Sequence, residues 1–107
     1  MDRVTLRDEV VGPDRRYLGA SLNKAGGLVI EGQDLGPAAA AVSPDGEYEW
    51  WTTINAEDFP QLWALLDAPT GSDILQVLAE NWTGERSYEL ERRLRDSDIP
   101  RGFNAYS

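Results

Sequence analysis

Along the first third of the chain, apolar and polar residues alternate in short runs broken by turn residues. Val4, Leu6 and Val10 alternate with Thr5, Arg7 and Glu9, the period of a half-buried strand, and Gly12-Pro13-Asp14 stops the run with turn chemistry. A second strand is predicted over Tyr17–Leu22, with Leu18, Ala20 and Leu22 on one face. Asn23-Lys24-Ala25-Gly26-Gly27 supplies residues tolerant of positive φ, and Leu28-Val29-Ile30 starts a third strand. Gly32-Gln33-Asp34-Leu35-Gly36-Pro37 reads as a loop by its glycines and proline, Ala38–Val42 fits either a short helix or a connection, and Ser43-Pro44-Asp45-Gly46 reads as a turn. Alternation then resumes over Glu47–Ile54. Tyr48, Trp50, Thr52 and Ile54 fall on one face, Glu47, Glu49, Trp51 and Thr53 on the other.

From Asn55 the period lengthens from two residues to about 3.6. Asn55 is a good cap, Phe59, Leu62, Trp63 and Leu66 fall on one helical stripe, and Pro60 implies an irregular first turn. Thr70-Gly71-Ser72-Asp73 marks a second capped start, leading to Ile74, Leu75, Leu78 and Trp82. Thr83-Gly84 separates it from a third helix whose apolar line is Leu90 and Leu94, with Glu89–Arg93 and Glu91–Arg95 as expected i,i+4 pairs. Ile99-Pro100 ends that helix, and the aromatic tail from Arg101 returns as an edge strand or packs down. Strands followed by helices predict an α+β fold: one domain over residues 1–107, with an antiparallel sheet of about four strands and two to three helices on one face.

Charge changes this picture. Residues 25–85 contain no lysine or arginine but eleven carboxylates and all four tryptophans, whereas each flank carries five basic and four acidic side chains. The net charge of −9 therefore belongs to the middle. Such a one-signed field steers and retains cationic partners. The arginines Arg86, Arg92, Arg93 and Arg95 are interleaved with Glu85, Glu89, Glu91, Asp96 and Asp98, which suits a solvated helix face and argues against direct nucleic-acid binding.

The chain has neither histidine nor cysteine. That removes imidazole bases, disulfides, thiolate metal sites and Ser-His or Cys-His nucleophile pairs from a single chain. Carboxylate chemistry is what is left. Glu47 and Glu49 project from one strand face with Cα atoms about 6–7 Å apart, a spacing compatible with a two-carboxylate hydrolase. Asp45-Gly46-Glu47-Tyr48-Glu49 lacks the ligand spacing of a calcium loop, and the glycine-rich turns match no phosphate-binding fingerprint. No catalytic residue, metal or cofactor is assigned. With no apolar run near the roughly 20 residues that span a bilayer and no leader pattern at Met1-Asp2-Arg3-Val4, no membrane association and a cytoplasmic location are expected.

The order Gly32-Gln33-Asp34-Leu35-Gly36, then Glu47-Tyr48-Glu49-Trp50-Trp51, then Asp98-Ile99-Pro100 before an aromatic tail resembles a group of small acidic, uncharacterised bacterial proteins, mostly actinobacterial, over residues 28–107. The resemblance brings no activity with it. Proteins of this size and composition are frequent among immunity proteins that neutralise toxins, an analogy of class that carries over no functional residue.

Trp50, Trp63 and Trp82 lie on apolar stripes and are expected in the core. Trp51 differs, because it shares the face of Glu47 and Glu49, where an exposed aromatic among carboxylates suits contact with arginine. The expected binding residues are Glu47, Glu49, Trp51, Glu57 and Asp58. The expected function is a non-enzymatic acidic module that occludes a basic protein partner, with toxin neutralisation as its most concrete form. The alternatives are a carboxylate-dependent hydrolase and a nucleic-acid mimic. Like charges oppose self-association, so a monomer or weak dimer is expected.

Overall fold

The alternating runs become a meander. In the computed structural model, which describes residues 2–37 and 46–106, β1 (Arg3–Val11), β2 (Asp14–Leu22), β3 (Leu28–Leu35) and β4 (Glu47–Ile54) follow one another. Each pairs antiparallel with the next. The Asn23 side chain closes the second turn by accepting from the backbone N–H of Ala25 and Gly27. A 3-10 turn, Ala56–Asp58, then leads into α1 (Phe59–Leu65), α2 (Ile74–Asn81) and α3 (Glu85–Arg95), and β5 (Gly102–Tyr106) returns beside β4. The fold is α+β: among the described residues it has a five-stranded sheet in the order β1-β2-β3-β4-β5 and three α-helices. The aromatic tail is thus the edge strand. The expectations for Ala38–Val42 and for Ser43-Pro44-Asp45 lie outside the described residues.

The helices all pack on one face of the sheet. Leu18, Ile30 and Ile54 from the strands meet Leu62, Leu78 and Leu90 from the helices in one buried cluster. The Asp73 carboxylate caps α2 by accepting from the Gln76 N–H at 3.2 Å. Pro60 sits in the first turn of α1, which begins at Phe59 because the 3-10 turn takes up the residues after Asn55. Trp82 is buried, whereas Trp50 and Trp63 pack against the core only partly buried. No helix among the described residues is long and apolar enough to cross a membrane.

Two readings of the strands change. The first is β1, where the register slips between Thr5 and Arg7: Thr5 pairs with Gly19 and Arg7 with Leu18, leaving Leu6 as the extra residue of a bulge. An inserted residue inverts the alternation beyond it. Arg7, expected among the polar positions, is therefore turned under the helices and is only 5% exposed, while Val10, expected inside, is 73% exposed. Arg7 donates to Ser87 Oγ at 3.0 Å and to Glu91 Oε1 at 2.5 Å, and its guanidinium lies 3.6 Å from the centre of the Tyr88 ring. Glu91 is thereby taken from Arg95, its expected partner, while the Glu89–Arg93 pair forms at 3.4 Å.

The second is the glycine-rich stretch after Ile30, which stays in β3 as far as Leu35. Gly32 is a strand residue because the Trp50 ring, across from it in the register, lies over its backbone. A Cβ at Gly32 would stand 2.1 Å from Trp50 Cε2. The glycine marks a close approach rather than a break.

Candidate functional site

The face of the sheet away from the helices carries the outward residues of all the strands. Alternation assigns it Glu31 and Gln33 from β3, Glu47, Glu49 and Trp51 from β4, and Asn104 and Tyr106 from β5. Trp51 is half-buried there, opposite Glu31 on one side and Asn104 on the other. Its indole Nε1–H donates to Glu31 Oε2 at 3.1 Å. Its ring meets the edge of Tyr106 at 5.5 Å and 83°. These contacts fix the plane of the indole, and the 69% exposed Tyr106 extends the aromatic surface toward the outer strand. β5 has β4 as its neighbour on one side, and all five of its residues are exposed.

A hydrogen-bonded chain runs across the strands to hold Glu31. Arg3 on β1 reaches over β2, its Nη2 donating to the Tyr17 hydroxyl at 2.7 Å and to Glu31 Oε1 at 2.7 Å. This reach depends on Gly19, which lies between Thr5 and Glu31 in the ladder. A Cβ at Gly19 would stand 2.5 Å from the Tyr17 hydroxyl oxygen and 3.1 Å from Arg3 Nη2. The Arg3 guanidinium holds the Glu31 carboxyl below the usual carboxylate range, with help from the Trp51 indole and against a smaller opposing effect of desolvation. Glu31 is thus kept ionised and aimed.

Glu47 and Glu49 also lie together. The Gln33 amide donates to Glu49 Oε1 at 3.0 Å and to Glu47 Oε1 at 3.4 Å. A depression of about 160 Å³, lined by Tyr17, Glu31, Gly32, Gln33 and Glu49, opens beside them. Three carboxylates therefore form one cluster on the face of Trp51, with Glu31 bonded to it and Glu49 and Glu47 two and four residues away along β4, while Arg3 pairs with Glu31 and the register puts Arg15, paired with Asp8, on the same face. The structure does not bring Glu57 and Asp58 to this cluster. Both lie in the 3-10 turn beyond Ile54, and Glu49 to Ile54 alone spans about 17 Å of strand.

Arg3, Tyr17, Gly19 and Tyr106 were missed in the sequence. The signal for the first three was Gly19, an isolated glycine inside a strand pattern, which marks a place where another group approaches the backbone. Tyr106 belongs to the aromatic tail, and only the pairing of β5 beside β4 sets it against Trp51. No protein-family model, curated protein or solved structure matches this chain.

Proposed function

We propose that the protein is a non-enzymatic binding module whose sheet face away from the described helices, with Trp51 beside Glu31, Glu47 and Glu49, occludes a basic protein partner in the cytoplasm. The observation that carries this reading is the placement of Trp51: a tryptophan held by Glu31 and Tyr106 at the end of a carboxylate cluster, on the sheet face away from the described helices. Burial of an oriented indole supplies affinity, and the carboxylates select arginine or lysine and speed encounter. Fixing the indole in advance lowers the entropic cost of binding. Toxin neutralisation is the concrete form of this function, since enzymes that act on nucleic acids present cationic surfaces that such a face would cover.

The carboxylate-hydrolase alternative fits less well. Glu47 is exposed and Glu49 only half-buried beside the Gln33 amide, whereas a general acid is raised by apolar burial. The depression beside them, about 160 Å³, is also below the roughly 300 Å³ at which ligand pockets begin.

Titration with a short arginine-rich peptide tests the proposal. Trp51→Ala should weaken the complex roughly thirtyfold, the loss of about 2 kcal/mol expected of a central aromatic. Glu47→Gln with Glu49→Gln should weaken it and flatten its salt dependence. Removing the same charge elsewhere, by Glu57→Gln with Asp58→Asn, should change it little. Equal losses from the two charge pairs, with no effect of Trp51→Ala, would mean that the peptide senses only net charge and would overturn the proposal.

A further inference from the structure

The helices do not cover their own face of the sheet evenly. Arg7 ties α3 to β1 through Ser87 and Glu91, and α2 packs on β1. The inward side chains of β4 and β5 are consequently left beside α3 rather than beneath it. A cleft of about 340 Å³ opens there, with Ile30, Trp50, Thr52 and Phe103 on the sheet side and Leu94 on the helix side. Phe103 is 61% exposed at its mouth. This volume lies in the range of small-ligand sites, and walls of aromatic and aliphatic side chains are what such sites use.

Its charged rim is unlike the rest of the molecule. The charged groups lining the cleft are Glu91, Arg95 and Arg101. Glu91 is committed to buried Arg7. Arg101 is held in place by the end of α3, donating from Nη1 to the carbonyls of Ser97 and Ile99 and from Nη2 to that of Arg95. A guanidinium has five N–H donors, so these three bonds orient it and leave two for another acceptor. Arg95 is mostly exposed, with Asp96 at 3.5 Å as its ion-pair partner. A chain of net charge −9 thus places two guanidiniums over this apolar opening.

We infer that this cleft, between α3 and the β3–β5 side of the sheet, binds a small aromatic or aliphatic carboxylic acid, with its apolar body against Trp50 and Phe103 and its carboxylate on Arg95 and Arg101. The carboxylate matches the paired guanidinium donors, and the volume sets a compact acid rather than a long chain. The site lies on the opposite side of β4 from Trp51 and does not depend on the partner proposed for that face.

Naphthalene-1-carboxylate is a suitable probe, and the backbone and indole N–H resonances of the labelled protein are the readout. Saturable binding should shift the Trp50 indole resonance and those of Arg101 and Phe103 while leaving the Trp51 indole in place. Naphthalene-1-carboxamide, the same ring without the charge, should bind roughly tenfold more weakly, the value of one charge-assisted hydrogen bond. Arg101→Gln should cause a similar loss. Because Arg101 also holds the end of α3, Arg95→Gln and Phe103→Ala serve as variants at exposed positions, and each should weaken the acid severalfold with an unchanged melting temperature. No saturable shift at Trp50, equal affinity for acid and amide, or undiminished binding by Arg95→Gln and Phe103→Ala together would each overturn the inference.

Discussion

The two faces of this sheet treat the same kinds of residue in opposite ways. Arg3 and Arg7 both belong to β1, yet Arg7 is sealed against α3 whereas Arg3 lies on the open face over Gly19. Glu31 and Asp34 both belong to β3, yet their carboxyls shift in opposite directions. Arg3 lowers Glu31, while burial raises Asp34 more than Arg16 and Arg7 lower it, and its Oδ1 is buried with no hydrogen bond. One face uses charge to hold the fold together. The other carries its charge away from the described helices.

The largest difference should appear between the two arginines. Arg7→Ala leaves Glu91 and Ser87 without their buried partner, and loss of one member of a buried pair typically costs about 3 kcal/mol or more. Arg3→Ala removes an exposed pair and should cost about 1 kcal/mol or less. Denaturant melts of the two variants measure the gap, and equal losses would show that the faces are equally buried.

A smaller contrast is expected between two glycines. At Gly32 a methyl group would enter the Trp50 ring, which stacks on Tyr48 at 5.4 Å and has little room to move. Gly32→Ala should therefore cost about 1–3 kcal/mol, the usual range for overpacking. At Gly19 the obstacle is the far end of Tyr17 and Arg3, which can swing away. Gly19→Ala should leave stability nearly unchanged but loosen Glu31. A Gly32→Ala protein as stable as its parent would dismiss the close approach seen at Trp50.

How far the sequence disclosed this arrangement depended on whether the strand period was interrupted. In β4 the alternation over Glu47–Ile54 is unbroken, so Trp50 and Trp51 could be assigned to opposite faces from pattern alone. In β1 one inserted residue reversed every position after Leu6, and nothing in the run of side chains marks it. The stripe Ile74, Leu75, Leu78 and Trp82 was readable because a helix repeats its period without such insertions. The chain linking Arg3, Tyr17, Glu31 and Trp51 was not, since it joins separate strands and exists only once the register is set. Glu57 and Asp58 follow Glu49 closely in sequence, but an extended strand carries them to its other end.

The smallest effects concern pH. A carboxyl raised in the fold binds its proton more tightly there, so its contribution is present below its unfolded value of about 3.9 and is lost as pH rises through the folded one. At neutral pH ionised Asp34 is therefore a burden, and Asp34→Asn should raise the melting temperature there, with the gain shrinking in acid. Glu31 has the reverse sign. Its contribution is present above about 4.3 and fades as pH falls through its lowered value, so Glu31→Gln should be relatively harmless in acid. A gain from Asp34→Asn that grows in acid would contradict the assignment of burial as the cause.

The division between the faces is tested most directly by melting Trp50→Ala and Trp51→Ala side by side. Trp50 packs against the core over Gly32, and its loss should cost about 3 kcal/mol, the low end for a tryptophan because it is only partly buried. In a domain of this size that lowers the melting temperature by roughly 12–24 °C. Trp51 gives up one hydrogen bond and one edge contact on the open face, so its variant should lose about 1 kcal/mol or less. A Trp51→Ala protein that melts as low as Trp50→Ala would show that the Trp51 face is structural and would contradict its proposed role in recognition.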